Sequence, residues 1–381
     1  IADLLLQGID SQQRQILQVV ACCRWFDLPM IRVLLGSQDL GWQQSIDHTE
    51  SYFEWLKRSD FVEFSKGHYR LDDVARDVFR QSYFQDDQNQ FRKTHALLAD
   101  YFKQQADELF PPQSLLPAPY EDAEWRGLIT EFLYYSLFGK GREGFHHYIE
   151  QVLIAAYLRE PDVFITPFAF ISAELSKENQ ALLPGATNKF FKHAVMALGF
   201  GWFFLGQPPK SYKLKFEDED ELSEKTTEAL LRGVEASLQV VLEQVDNLSD
   251  GVGKCIGLIY KCLRCERPSQ VIDSLLQAKI QAEQLDTHCR PKLLHSLFSR
   301  LGSSLFGIKR YQESLDCCEQ ALELWKGNPQ AFFSKGVALV NLERHEEALE
   351  SYQKEIDLDH ISIASCTKRV YENFIQEKYK K

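Results

Sequence analysis

Apolar residues in the N-terminal part of the chain recur mostly at helical spacing, three or four residues apart. Residues 11–23 carry such a stripe, and Ser11 at its start predicts an N-cap, because a hydroxyl there can accept a backbone N–H. Pro29 suits the first turn of a second helix, since the N–H that proline lacks would be unpaired there anyway. A third helix is predicted from about Asp47, with a buried side made of Tyr52, Phe53, Trp55 and Leu56.

The periodicity then changes from helical to alternating. Residues 60–64 alternate between apolar and polar, "SKG" at 65–67 is a turn sequence, and residues 68–71 continue the pattern. This order predicts a short β-hairpin. Asp72 follows at once and predicts the N-cap of the next helix, where Asp73 would favour the positive helix end.

A further helix is predicted at residues 91–110. Three helices, a hairpin and another helix are typical of a winged-helix domain, which we predict over residues 1–110. Four prolines in residues 111–119 then predict the clearest domain boundary. A helical connector is predicted over residues 120–222 and helical repeats over residues 223–381. The predicted helices before the repeats proper are 123–138, 144–158, 164–183, 187–205 and 223–246.

The C-terminal third contains an internal repeat, clearest over residues 295–362. The matching pairs are Gly302 and Gly336, Ile308 and Leu342, Tyr311 and His345, Leu315 and Leu349, and Leu324 and Leu358, each 34 residues apart. This period, with a small glycine where two helices cross, resembles the tetratricopeptide repeat (TPR). Ser314 and Glu355 depart from its pattern, because each stands where the family prefers alanine. The fold class predicted is therefore mainly α, a winged-helix domain followed by a TPR-like α-solenoid.

The TPR resemblance implies a ligand groove lined by the first helix of each repeat. By repeat position, the candidate ligand-binding residues are Arg300, Ser303, Phe306, Phe333 and Asn341, with Ser296, Ser299, Gln330, Ser334 and Val337 beside them. The Lys/Asn set that clamps C-terminal carboxylates in chaperone-binding TPR proteins is absent. The mixed polar and aromatic set therefore favours a folded or apolar protein or peptide ligand over an acidic tail. An ordinary solvent-facing solenoid surface is the alternative interpretation.

Residues 69–77, "YRLDDVARD", resemble the end of the winged-helix domain in STAND-type signalling ATPases of the NB-ARC and NACHT kind. The resemblance places Leu71, Asp72 and Asp73 at that family's Met-His-Asp motif, whose His contacts the phosphate of bound ADP. Asp72 departs from the motif, and its carboxylate would repel a phosphate unless a cation intervened. The alternatives are thus a weak nucleotide-sensing motif at Asp72 and Asp73, or a simple helix cap. The resemblance also implies an upstream ATPase module, a role in signalling or defence, and oligomerisation on activation.

Composition narrows the function classes. The 381 residues carry a net charge of −12, and the third predicted helix is itself acidic, so we expect no nucleic-acid partner. Nine cysteines include the adjacent pairs Cys22–Cys23 and Cys317–Cys318 inside helical patterns, which predicts reduced core thiols and a cytoplasmic protein. The apolar run at 194–206 is shorter than a bilayer requires, so we expect no membrane partner. The chain begins at Ile1 rather than Met, as a fragment would.

No sequence motif predicts catalysis. "LSDGVGKC" at 248–255 lacks the glycine and the Ser/Thr of a phosphate-binding loop. Cys262 and Cys265 form a CxxC that could contribute to a zinc site, but core packing is the simpler interpretation. We therefore expect no enzyme activity, no cofactor and no metal in this chain. The alternatives to a ligand-sensing region are a winged-helix transcription regulator with a TPR sensor, a TPR scaffold without an ATPase, and an enzyme with a pocket in residues 160–222.

Overall fold

The computed structural model describes residues 9–41, 46–158 except 113 and 115, and 239–358 except 263, 264, 266 and 286–288, with a few positions between 163 and 184. These residues are mainly helical. The chain divides into two compact units. Unit 1 comprises Ile1–Ser114 and Ala118–Gln244, and unit 2 comprises Leu115–Pro117 and Val245–Lys381. The helices predicted at 187–205 and most of those at 164–183 and 223–246, the 194–206 run and most of the 160–222 region lie outside the described residues.

The described residues of unit 1 form helices and one β-hairpin. Its elements are α1 (Ser11–Ala21), α2 (Leu28–Gly36), α3 (Ile46–Lys57), β1 (Val62–Ser65), β2 (His68–Leu71), α4 (Asp73–Asp86), α5 (Gln88–Leu109), the short α6 (Ala118–Glu121), α7 (Ala123–Gly139) and α8 (Gly141–Leu158). The order of three helices, a hairpin and a helix matches the sequence-based expectation. The prolines of residues 111–119 do separate α5 from α7, yet these two helices pack against each other within the same unit.

Asp10 caps α1, so the prediction that Ser11 is the N-cap is wrong by one residue. The backbone N–H of Gln13 donates to the Asp10 carboxylate at 2.7 Å, and the backbone N–H of Asp10 donates to the Gln13 side chain at 3.2 Å. This reciprocal pair is a capping box, which satisfies two otherwise free donors. The helix ends at Ala21, so Cys22 and Cys23 lie at its end and not inside it, although both are buried.

The hairpin turns at Lys66 and Gly67, which both have positive φ angles, 53° and 85°. Two such residues form the tight turn that matches the twist of paired strands, and glycine adopts this conformation without steric cost. An antiparallel bridge joins Phe26 to Tyr69, where the N–H of Phe26 donates to the Tyr69 carbonyl at 2.7 Å. The segment between α1 and α2 therefore extends the hairpin by a third, very short strand position, which the periodicity does not reveal.

On α3, the predicted buried side is confirmed for Leu56, which is fully buried, whereas Tyr52, Phe53 and Trp55 are only partly buried. Thr49 on this helix is also buried. A partly buried ion pair joins the loop before α2 to α7, between the guanidinium of Arg24 and the carboxylate of Glu131 at 2.5 Å. Burial raises the pKa of the Glu131 carboxyl more than Arg24 beside it lowers that pKa.

Unit 2 is described as three consecutive helical hairpins. Its helices are α9 (Val252–Cys262), α10 (Pro268–Gln284), α11 (Cys289–Gly307), α12 (Tyr311–Leu324), α13 (Pro329–Asn341) and α14 (His345–Leu358). Each helix packs against the next along the chain. The two repeat glycines lie at hairpin crossings, with Gly302 against Ser314 and Cys318, and Gly336 against the ring of Tyr352. Ser314 stands where the repeat family prefers alanine, and its hydroxyl donates to the Gly302 carbonyl at 2.7 Å.

Candidate functional site

One face of α11 forms most of a concave surface in unit 2. Ser296, Ser299, Arg300, Ser303 and Ser304 follow each other at intervals that keep side chains on one side of a helix. The other side of α11 carries buried residues that pack into the hairpin core, among them Leu293, Leu297, Leu301 and Leu305. The polar face is therefore available because the helix has already buried its apolar face.

This face of α11 lines a cavity of about 520 Å³, together with the first turn of α13 and parts of α9 and α10. Val271 and Leu275 of α10 supply an apolar wall, and Gln330 and Ser334 of α13 supply polar groups. Cavities of this size hold small molecules or several residues of a peptide.

The serine hydroxyls offer both kinds of hydrogen-bonding group to this cavity. Ser299 donates to the His295 carbonyl at 2.9 Å and Ser303 donates to the Ser299 carbonyl at 3.1 Å, so both oxygens face the cavity as acceptors only. The hydroxyls of Ser296, Ser304 and Ser334 bond to no described residue and can donate.

Arg300 is the single charged side chain among the described residues that line the cavity. It is partly buried, and it forms no hydrogen bond or ion pair within the described part of the chain. Burial raises the pKa of the nearby Cys262 thiol to about 11, and the positive charge of Arg300 opposes that rise. The cavity therefore holds a cation whose hydrogen-bond donors are available.

His295 and Asn328 fix the edge of the cavity where α13 begins. Nδ1 of His295 lies 2.9 Å from the Ala321 carbonyl, which can only accept, so Nδ1 carries the proton. In the neutral ring Nε2 is then an acceptor, and Asn328 donates to it from Nδ2 at 2.7 Å. The other amide atom, Oδ1 of Asn328, caps α13 by accepting the N–H of Gln330 at 3.0 Å. One asparagine thus ties the helix start to the core histidine.

Comparison with known protein families identifies the hairpin of α13 and α14. Residues 329–359 match the family model of the tetratricopeptide repeat. Unit 2 contains a tetratricopeptide repeat. The match covers α13 and α14. No curated protein and no solved structure matches the chain. The TPR resemblance inferred from the 34-residue period is therefore confirmed for the last hairpin, and α11 with α12 stands one period before it.

The predicted groove residues of the TPR region divide into two groups. Arg300 and Ser303 line the cavity, as do Ser296, Ser299, Gln330 and Ser334. Phe306, Phe333 and Asn341 lie outside it. The ring of Phe306 contacts Tyr311 with centroids 5.4 Å apart, and that of Phe333 contacts Tyr352 at 6.1 Å. Asn341 is exposed at the end of α13 and donates to the Val337 carbonyl at 2.9 Å.

Sequence reasoning missed His295 and Asn328 as residues that shape the cavity. The dipeptide Asn328–Pro329 carries the signal for the second of them, since asparagine caps helices and proline suits their first turn. The histidine carries no comparable local signal, because its partners lie on α12 and before α13.

In unit 1, the carboxylate of Asp72 accepts the backbone N–H groups of Val74 and Ala75, both at 3.0 Å. The predicted N-cap is therefore confirmed. Asp73 lies in the first turn of α4. Contact of either carboxylate with a nucleotide stays a prediction.

None of the eight cysteines among the described residues forms a disulfide, and no group of three or more potential metal ligands converges there. In Cys262 and Cys265 the thiols instead point to carbonyls of their own helix region, those of Ile259 and Lys261. Among the described helices none combines the length and apolarity that a bilayer crossing requires.

Proposed function

We propose that this chain is a recognition region whose tetratricopeptide part binds a protein or peptide in the cavity of α11. The observation that carries the proposal is the groove itself, in which free hydroxyls, an arginine and an apolar wall line one concavity beside a confirmed repeat. Tetratricopeptide arrays present such concave surfaces to protein partners.

We further propose that residues 1–110 of unit 1 form a winged-helix domain that relays ligand binding to an ATPase or effector module outside this chain, in signalling or defence. Three observations support this proposal. The helices and the hairpin follow in the winged-helix order, the bridge between Phe26 and Tyr69 extends the hairpin, and Asp72 caps α4 directly after β2. The resemblance of residues 69–77 to STAND-type ATPases is the reason for placing an ATPase at the receiving end of the relay. The capping role of Asp72 leaves its carboxylate engaged with helix donors, so nucleotide sensing is not required of it.

Duplex DNA is a less favourable partner for unit 1, because Lys57 and Arg32, two of the cations near α3, are engaged with acids. Lys57 donates to Glu54 at 2.8 Å, and this bond raises the pKa of the lysine and lowers that of the carboxyl. Arg32 pairs with Glu50 of the same helix. A helix that reads DNA needs cations available for phosphate.

Buried thiols, such as that of Cys23, whose pKa is raised by desolvation, support a reducing, cytoplasmic setting.

A peptide-display selection against the whole chain tests the groove. Random 12-residue peptides displayed within a loop are enriched on the wild type and then measured by fluorescence polarisation. Ser303→Trp fills the cavity from an exposed position and should weaken the selected peptides by roughly tenfold or more. The control Gln312→Trp places the same ring on the exposed surface of α12, outside the cavity, and should leave affinity unchanged.

Failure to enrich any peptide, or equal loss in both tryptophan variants, would overturn the groove proposal. The relay is tested separately by hydrogen exchange of residues 62–86 with and without the best peptide. A relay predicts altered exchange in the hairpin and α4, whereas a scaffold without an ATPase predicts altered exchange in unit 2 alone.

A further inference from the structure

The arginine in the cavity differs from Arg310 and Arg344, which lie elsewhere in unit 2. Arg310 and Arg344 each form a two-point pair with a carboxylate three residues later, Glu313 and Glu347. Arg300 has no such acid and faces the cavity instead. Arg300 is partly buried as a residue, and its guanidinium donors form no hydrogen bond within the described part of the chain. An acceptor of a ligand in the cavity can therefore take those donors.

The lining also excludes acids. The chain contains 55 Asp and Glu residues against 43 Lys and Arg residues, yet no carboxylate occurs among the described residues around this cavity. An acidic protein that keeps one concavity free of acids and places a cation there presents a local positive site. This charge complementarity selects an anionic group in the ligand.

We propose that the cavity binds an internal segment of a partner protein through an Asp or Glu side chain, whose carboxylate pairs with the guanidinium of Arg300. The inference rests on the proposed function, of which it names the ligand chemistry. It replaces the apolar part of the sequence-based preference, which was for a folded or apolar ligand over an acidic tail. That preference placed Phe306 and Phe333 in the groove, whereas neither residue lines the cavity.

The remaining lining suits the chain around such a carboxylate. A guanidinium matches a single carboxylate with two parallel hydrogen bonds. The free hydroxyls of Ser296, Ser304 and Ser334 can donate to peptide carbonyls, and the oxygens of Ser299 and Ser303 can accept peptide N–H groups.

We favour an internal acidic side chain over a free C-terminus for two reasons. Terminal carboxylates are commonly captured by backbone amide nests. The charged donor provided here is a single side chain, and the Lys/Asn clamp set for a C-terminal carboxylate is absent.

The test compares display selections on the wild type, Arg300→Gln and Arg300→Glu, each as the whole chain. One library displays 12 random residues inside a loop and a second ends in a free carboxylate. The wild type should enrich Asp or Glu at one fixed position of the internal library. Arg300→Gln should abolish that enrichment and weaken the selected peptides by roughly tenfold or more. Arg300→Glu should select Lys or Arg at the same position.

The control variant Arg310→Gln removes a cation that lies outside the cavity and is already paired, so it should keep the acidic preference. Replacing the selected acid by its amide in the peptide should cost the wild type as much affinity as Arg300→Gln does. Peptides that depend on the cavity, as shown by Ser303→Trp, but carry no fixed acid would overturn this inference and leave the proposed function standing. Enrichment only in the free-carboxylate library, or acidic enrichment that survives Arg300→Gln, would also overturn it.

Discussion

Replacing Gly336 with alanine would place a methyl carbon 2.5 Å from Cε1 of Tyr352 and 2.8 Å from two more atoms of that ring. Ordinary contacts of this kind begin at 3.4 Å, so the methyl group stands about 0.9 Å too close. The ring cannot swing into solvent, because Tyr352 is only 2% exposed and packs with Phe333 in the core of the last hairpin. Helices α13 and α14 must therefore move apart.

The size of the effect follows from two opposed terms. Overpacking of a core by one carbon costs typically about 1–3 kcal/mol, and the upper end applies to a buried ring that cannot relax. Alanine in place of glycine inside a helix gains about 1 kcal/mol. We therefore expect Gly336→Ala to lower the free energy of unfolding by about 2 kcal/mol. The repeat partner Gly302 is less crowded, since its methyl would lie 3.2 Å from the Cys318 sulfur, and its two terms should nearly cancel.

A third glycine completes the series. Gly307 at the end of α11 has open space around a built methyl group, so Gly307→Ala should be neutral or stabilise by up to about 1 kcal/mol. Urea denaturation followed by circular dichroism gives the three midpoints at unchanged slope, and hydrogen exchange of α13 and α14 localises the loss. Gly336→Ala as stable as Gly302→Ala would refute the close crossing that this structure assigns to the last repeat.

Three other changes test the contacts that shape both units, each by urea denaturation. Asp72→Ala removes the acceptor of two helix N–H groups and should cost about 1 kcal/mol. Asn328→Ala removes the cap of α13 and the donor to His295, and should cost about 2 kcal/mol because a buried acceptor loses its partner. Arg24→Met removes the nearest cation from the partly buried Glu131 carboxylate and should cost about 2–3 kcal/mol at pH 8. That deficit should shrink at pH 5. Because the folded-state pKa of the Glu131 carboxyl is raised, the folded state binds a proton at this group more readily than the unfolded state does. The contribution of this group to the free energy of unfolding therefore rises as pH falls.

Matched variants separate these causes from general damage. Asp72→Asn keeps a capping acceptor and should retain most of the stability. Asn328→Asp keeps the cap of α13 but removes the donor to His295. If the cap contributes to stability, this variant should lose less free energy of unfolding than Asn328→Ala does. Arg14→Met breaks an exposed pair with Asp86 and should cost less than about 1 kcal/mol. An Arg24→Met deficit that is independent of pH would contradict the assigned role of the buried carboxylate.

The sequence predicts best what neighbouring residues decide. The cap at Asp72 and the turn at residues 65–67 follow from side chains within three positions of each other, and the structure has both. The wrong prediction of Ser11 as the N-cap of α1 also concerns neighbouring residues. Asp10 lies one residue away and forms a capping box that the apolar stripe does not display. The 34-residue period also succeeds, because each repeat needs the same small residue where its helices cross.

Contacts between distant segments could not be predicted from the pattern. The bridge from Phe26 to Tyr69 depends on how α2 lies against the hairpin, and the bond from Asn328 to His295 joins residues 33 positions apart. Within the groove, repeat position identifies the helix face but not the direction of each ring. The aromatic side chains of Phe306 and Phe333 lie against Tyr311 and Tyr352, where they bury apolar area.

The junction at Asp72 has a further consequence for unit 1. Strand β2 ends at Leu71 and helix α4 begins at Asp73, so a single residue connects them, and it is held at its backbone by the Phe61 carbonyl as well as by its own side chain. Such a connection has no slack. A residue inserted at this point would rotate α4 by about 100° relative to the hairpin, since a helix completes a turn in about 3.6 residues. The orientation of every α4 side chain relative to the hairpin therefore depends on this single connecting residue.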